Sequence, residues 1–488
     1  MPNTCTRPVW KLLFVAWLGL LSTSRVAANG LSIENLSRDS LAQTVTFDLQ
    51  WFSSWRIDST AAPSNWDAAW VIVKFRACSA GPNDPWIHGQ LSGTLTDHNF
   101  GTLEPVQSNG AATGLDADLR GVMLRRATNG LFGNEPATTI TLTIPNMLQN
   151  EAYNVRVVGI EMVFVPEGTY DLGSVNYVNA FSANTTRTDP TPASIASEAA
   201  VTINSHAYST NTTVALAANF PKGYAAFHMM KYEISQGQYA TFLNSLAPAV
   251  QYNRYPGNFN NSRNRLIAGG GNVLSPFGSD REDRAQGYLS WEDVAAYLDW
   301  ACLRPMTELE YEKAARGTSA AVVDEYAWGS TNIFPITDVT APENGTEIPG
   351  NLPANARYSN NTLIGGDGGR GPVRAGIFAL STNTTREQSG ASFYGIMELS
   401  GNVREACVGV LAITATTGTV AFDGALGDGT IDAAGASDQA SWPTLASGGY
   451  VHRGGGFSDN PIYLKISDRT YITWNGTRYN YGGGRGVR

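Results

Sequence analysis

Cysteine is scarce. Four in 488 residues cannot staple a fold of this size, and Cys5 precedes an apolar segment that sets it apart from the other three. Charge is thin as well: Asp, Glu, Lys and Arg make up 15% of the chain, and the net charge is −9. Lys and Arg never cluster, so the chain offers no footprint for a phosphate backbone and nucleic acid is not an expected partner. The five histidines, His88, His98, His206, His228 and His452, lie far apart. They lack the close ligand pair that metal sites usually show. After residue 28 no apolar run is long enough to cross a bilayer, so no membrane span is expected in the remainder.

What is present begins with a leader. Arg7 and Lys11 precede the apolar run Leu12 to Leu21, and small residues follow around Val26, Ala27 and Ala28. Basic, apolar and small-residue segments in that order predict a signal peptide over 1–28 and a secreted or cell-surface protein. Removal of the leader leaves Cys78, Cys302 and Cys407. One disulfide with a free thiol, or three buried thiols, are both compatible with that count. The length predicts two or three domains. With 51 glycines and 23 prolines the chain is rich in loops. Eight N-x-S/T sequons, at Asn35, Asn184, Asn211, Asn260, Asn344, Asn360, Asn383 and Asn475, carry glycans only in a secretory pathway that uses them.

Residues 29–159 have period two. Val45, Phe47, Leu49 and Trp51 alternate with polar residues, as do Ile140, Leu142 and Ile144; Trp70 to Phe75 and Asn154 to Ile160 read as further strands. The simplest arrangement that buries one face of each is an antiparallel, immunoglobulin-like β-sandwich. The Ser/Thr/Ala/Asn stretch 182–214 reads as a loop or mobile excursion. Three helices are then signalled by capping pairs: Ser235 with Gln238, Ser290 with Asp293, and Thr307 with Glu310, the last stopping at Gly317. Glycine-rich loops surround them, including a Gly/Ala/Thr-rich region over 411–440.

The run "LSWEDVAAYLDWACLRPMTELEYEKAARG" at 289–317 resembles the formylglycine-generating enzyme, or sulfatase-modifying factor, family. "MVFVPEGTYDLGS", "MMKYEISQGQYATFLN", "YGIMELSGNVREA" and "RGGGF" with the terminal "GGRGVR" resemble further segments of that family in the same order. The resemblance implies an irregular, C-type-lectin-like α+β domain over 160–488. It also implies where chemistry should sit. The copper-dependent oxidases of the family hold Cu(I) on two cysteines after the glycine frame, and these positions match Asp459 and Leu464. Soft Cu(I) selects thiolates, so copper is not expected. The sulfoxide-synthase branch uses a three-histidine iron site borne largely by a helical domain; the strand-rich N-terminal region offers none, so iron is not expected either.

The resemblance implies calcium more readily. One family ion site matches Glu398, Gly401, Val403 and Glu405; another matches Asn355, Ala356, Asp367 and Gly369. Mixed carboxylate and carbonyl oxygens on glycine-rich loops suit Ca²⁺. Arg404 stands where the family has tryptophan. Three functions follow as expectations. The first is a secreted, non-catalytic protein in surface adhesion or filament or matrix assembly, through a protein partner or self-assembly. The second is a formylglycine-generating or related metal-dependent oxidase. The third is a glycan-binding module with Tyr463, Tyr471, Trp474, Tyr479 and Tyr481 as an aromatic platform. Acid pairs such as Glu398 with Glu405, or Asp459 with Asp468, are the weaker basis for a glycosidase.

Overall fold

The computed structural model describes residues 30–488, except 82–83, 176, 178, 187–188, 208–209, 260–261, 273 and 411–421. The expected leader and its cleavage point, and the first part of the Gly/Ala/Thr-rich region, lie outside the described residues. No described helix is long and apolar enough to cross a membrane.

The first eight strands are β1 (Ser32–Asp39), β2 (Thr44–Arg56), β3 (Asp67–Ala77), β4 (Ile87–His88), β5 (Leu103–Val106), β6 (Val122–Arg126), β7 (Gly130–Thr143) and β8 (Tyr153–Val165). β1, β2 and β7 form one antiparallel sheet. β3 is the hub of a second, larger sheet, pairing with β8 from Asp67↔Val163 to Ala77↔Tyr153 and with β6 on its other side. β3 is buried at every position but the last, so its two faces have different partners. Ala69, Val71, Val73 and Phe75 meet Val45, Phe47, Leu49 and Trp51 of β2, which makes a sheet-on-sheet core. Trp70 and Ile72 face the opposite way, into the helices. The alternation is the expected one for a strand with both faces covered.

The two sheets do not form a separate unit. Beyond β8 the large sheet continues through Phe227–Met230 and Gly486–Val487 to Arg304–Pro305. The expected boundary between 159 and 160 falls inside β8, and the strands before and after it share one antiparallel sheet. The stretch 182–214 also differs from the expected loop. Val201–Ala207 pairs with Thr210–Leu216, and Ile203, Val214 and Leu216 are buried in the core. Its alternation was masked by threonine and asparagine on the outward face.

All three capping pairs close. Helix α1 (Gln236–Leu243) starts at Ser235, whose hydroxyl accepts from Gln238 N, while the Gln238 side chain accepts from Ser235 N. A short α2 (Pro248–Arg254), not expected from periodicity, opens on its proline. α3 (Trp291–Trp300) and α4 (Glu308–Arg316) begin with the same reciprocal pair at Ser290/Asp293 and Thr307/Glu310. α4 ends at Gly317, whose φ of 68° a side chain tolerates poorly. Tyr239, Phe242, Val294, Tyr297 and Leu298 bring α1 and α3 onto the Trp70 face of β3. Cys302 and Cys407 are free and buried, so the three cysteines beyond residue 28 form no bridge among themselves.

Candidate functional site

The glycine frame, the "RGGGF" run at 453–457, is held on a small sheet in which Arg404–Val408 lies between Tyr450–Arg453 and Gly482–Gly483. The pairing sets Glu405 opposite Arg453 and Arg404 beside Gly482. Beneath the frame, Glu308 and Glu312 project from α4 one turn apart. Arg453 donates to Glu308 at 2.9 Å and to Glu312 at 2.8 Å, and Arg469 donates twice to Glu308. Burial raises the Glu308 carboxyl, but Arg469 and Arg453 outweigh it and hold the group down at about 2. The acidic face of "TELEYEKAARG" is therefore a foundation for the frame and has no contact with solvent. Gly455 could not be larger: a Cβ there would lie 2.6 Å from Leu464 and 2.9 Å from the Tyr463 carbonyl.

The two positions matched to the copper cysteines are filled by other chemistry. Asp459 accepts from Arg404 Nε at 2.8 Å and Nη2 at 2.6 Å, from Gly456 N at 2.8 Å and from the Tyr471 hydroxyl at 3.0 Å. The Arg404 guanidinium lies 3.4 Å from the Tyr471 ring centroid and 3.8 Å from that of Tyr481. Leu464 is fully buried among Tyr311, Leu399 and their neighbours. The replacements at 404 and 459 thus answer each other: the guanidinium that stands for tryptophan takes both oxygens of the aspartate that stands for cysteine. Read separately in the sequence, they gave no signal of this pairing.

His452 and the two free cysteines are held in their neutral forms. His452 stacks on Trp474 at 3.7 Å, and burial with Arg404 alongside pushes its pKa well below the usual value, leaving a neutral imidazole. Burial raises Cys407 well above an ordinary thiol, and raises Cys302, packed against His88, to about 11. Both are thiols at neutral pH. Of the two acid pairs, Glu405 is bound to Arg485 and Asp468 accepts from the Tyr177 hydroxyl at 2.6 Å, so neither offers two free carboxyls.

The first expected calcium set is brought together. Gly401, Val403 and Glu405 follow one another into the small sheet, and Glu398 sits just before them. Both Glu405 oxygens accept from Arg485 at 2.7 Å. Glu233, which the sequence did not single out, accepts from Val403 N and the Asn402 side chain. Glu398 accepts from Gly376 N at 2.9 Å through one oxygen, while the other is buried without a hydrogen-bond partner; burial raises this carboxyl to about 7. Three buried carboxylates therefore surround one guanidinium.

The second set is dispersed among other partners. Asn355 accepts from Phe334 N and donates to the Glu387 carbonyl, and Ala356 is buried next to it. Asp367 accepts from Arg281 at 2.7 and 2.6 Å and from Arg284 at 2.8 Å, and these guanidinium groups hold its carboxyl far below the usual range. Gly369 lies in the same arginine-lined cavity. Of this set, Asp367 is held by guanidinium groups and Asn355 by backbone groups.

Among the described residues, the one group of three metal-ligand side chains within reach of one another is Asp299, Asp428 and Asp438. Asp299 already accepts from Asp428 N, Ser437 Oγ and Asp438 N, which makes it an anchor for the loop over α3. No pattern in the sequence links positions so far apart.

A family model for the sulfatase-modifying factor enzyme 1-like domain matches residues 154–487. No curated protein matches the chain. Among solved structures, variable protein 1 of Treponema denticola aligns with a TM-score of 0.33 and 14% identity, over 68% of this chain and 95% of that one.

Proposed function

Because this chain belongs to the sulfatase-modifying factor enzyme 1-like family, we propose that it is a non-catalytic member: an extracellular protein that uses the scaffold in surface adhesion or in filament or matrix assembly. One observation carries the reading. The pocket in which the family's oxidases hold copper contains the Arg404–Asp459 ion pair and a core leucine, with no sulfur at either position. Purified protein incubated with copper, oxygen and a C-x-P-x-R peptide is expected to leave the cysteine unchanged; aldehyde in the peptide would establish the alternative, a formylglycine-generating or related metal-dependent oxidase. Electron microscopy of the secreted fraction tests the assembly role, with ordered filaments or surface arrays as the expected result and dispersed monomers as the contrary one.

Calcium enters at one place. What supports the Glu398, Gly401, Val403 and Glu405 set as an ion site is the unpartnered Glu398 oxygen and the gathering of Glu233, Glu398 and Glu405 about Arg485, with Arg374 the other cation near Glu398. A bound Ca²⁺ would tie these loops together. Chelation is expected to lower the melting temperature, added Ca²⁺ to restore it, and Glu398→Gln to abolish the response. A melting temperature indifferent to both additions refutes the site.

Glycan binding is the second reading, supported by the aromatics near Arg404, of which Tyr471 and Tyr481 lie over the guanidinium. Tyr463, Tyr471, Trp474 and Tyr481 are half-buried, and Tyr479 is 38% exposed and stacked on Tyr481. Saturable retention on a glycan array would favour it.

A further inference from the structure

Away from the glycine frame, a cavity of about 450 Å³ is lined by Arg263, Arg265, Arg284 and Arg370, with Thr362 and Asp367. Its charge is unbalanced. Five guanidinium groups, those four and Arg281, meet three carboxylates: Glu343 takes Arg263 and Arg284, Asp280 takes Arg265, and Asp367 takes Arg281 and Arg284. Two positive charges are left over. Arg370 is exposed and forms no ion pair among the described residues; its Nε reaches only the Thr362 hydroxyl, at 3.5 Å. Arg284 is 2% exposed, yet its Nε has no acceptor. A buried, unpaired N–H on a charged group is costly unless something accepts from it. Behind the cavity, Arg357 is fully buried, donates only to carbonyls and leaves Nη1 without an acceptor.

We propose that this cavity is a binding site for a tetrahedral oxyanion, sulfate or phosphate, either free or as the ester of a sugar. Planar guanidinium forks match the oxygens of such groups, with charge-assisted bonds stronger than neutral ones. Arg370 and Arg265 close on the anion from the solvent side, Arg284 sets positive charge at the base, and Thr362 offers a hydroxyl. The existing carboxylates hold the forks in place, so little ordering remains to be done when the anion enters. The volume exceeds that of a bare anion and leaves room for one sugar ring. The proposal is independent of the scaffold reading: it uses no residue of the glycine frame.

The test is isothermal titration of the whole protein with sodium sulfate, sodium phosphate and galactose 6-sulfate, against sodium chloride at equal ionic strength. Saturable heat with sulfate or phosphate is expected. Tighter binding of galactose 6-sulfate than of sulfate identifies the ester as the ligand, and equal or weaker binding identifies the free anion. Arg265→Ala with Arg370→Ala is expected to weaken binding at least about tenfold, since two charge-assisted bonds are lost. Arg370→Ala alone, at an exposed side chain, serves as the variant certain to leave the fold intact and is expected to weaken binding in the same direction. Heats no different from chloride, or unchanged affinity in the variants, overturn the proposal.

Discussion

At the scale of single residues, the decisive feature is that charge has been introduced in matched pairs. Arg404 and Asp459 are almost wholly buried, with side-chain exposures of 9% and 6%. Removal of one partner strands the other in a poor solvent, a loss of about 3–5 kcal/mol, whereas replacing both with apolar groups is far less costly. Asp459→Ala is therefore expected to lower stability in urea by that amount, and Arg404→Met combined with Asp459→Leu to recover most of it. Additive losses in the double variant would show that the two side chains are not coupled. Glu308 gives a pH signature. Its folded pKa of about 2 lies below the ordinary value of 4.5, so its stabilisation is complete above 4.5 and disappears as the pH falls towards 2. The shift corresponds to roughly 3 kcal/mol. Glu308→Gln should flatten the acid limb of the stability curve between those limits, in addition to lowering it at neutral pH.

At the scale of elements, short helices depend on their ends. α4 has nine residues, too few to be stable alone, and its first turn is secured by the Thr307–Glu310 box. Thr307 is fully buried and also donates to the Pro221 carbonyl. Thr307→Ala is expected to cost about 1–2 kcal/mol, and Thr307→Ser to recover most of that through its retained hydroxyl, measured by thermal unfolding. Equal losses in the two variants would mean that the methyl group, and not the cap, is what matters. These boxes were legible because a cap is a local event: donor and acceptor sit three residues apart, and no distant partner is needed. The hairpin over 201–216 was less legible, since threonine and asparagine on its open face resemble a loop composition and only burial of Ile203, Val214 and Leu216 distinguishes it.

For the molecule as a whole, β3 and β8 unite what period and composition divided. β8 pairs with β3 on one edge and with Phe227–Met230 on the other, so a cut after residue 159 severs a strand inside the sheet. Fragments 29–159 and 160–488, made separately, are expected to be insoluble or to bind a hydrophobic dye, because each exposes an unpaired sheet edge and half of the β3 core. Two soluble, cooperatively melting fragments would show that the halves are autonomous. The same architecture places the arginine cavity, the Glu398 cluster and the glycine frame on loops whose positions depend on this shared sheet.

Strand alternation in β2, the three capped helices and the sulfur-free positions 459 and 464 were all readable from residue order, because each depends on residue type and short spacing alone. Which charges meet could not be read that way. Arg404 finds Asp459 across 55 residues, Arg485 finds Glu405 across 80, and Asp367 finds Arg281 across 86. Those encounters decide which acidic positions remain open to a cation and which are already neutralised, and they arise only when folding brings distant loops together in a medium that penalises any charge left alone.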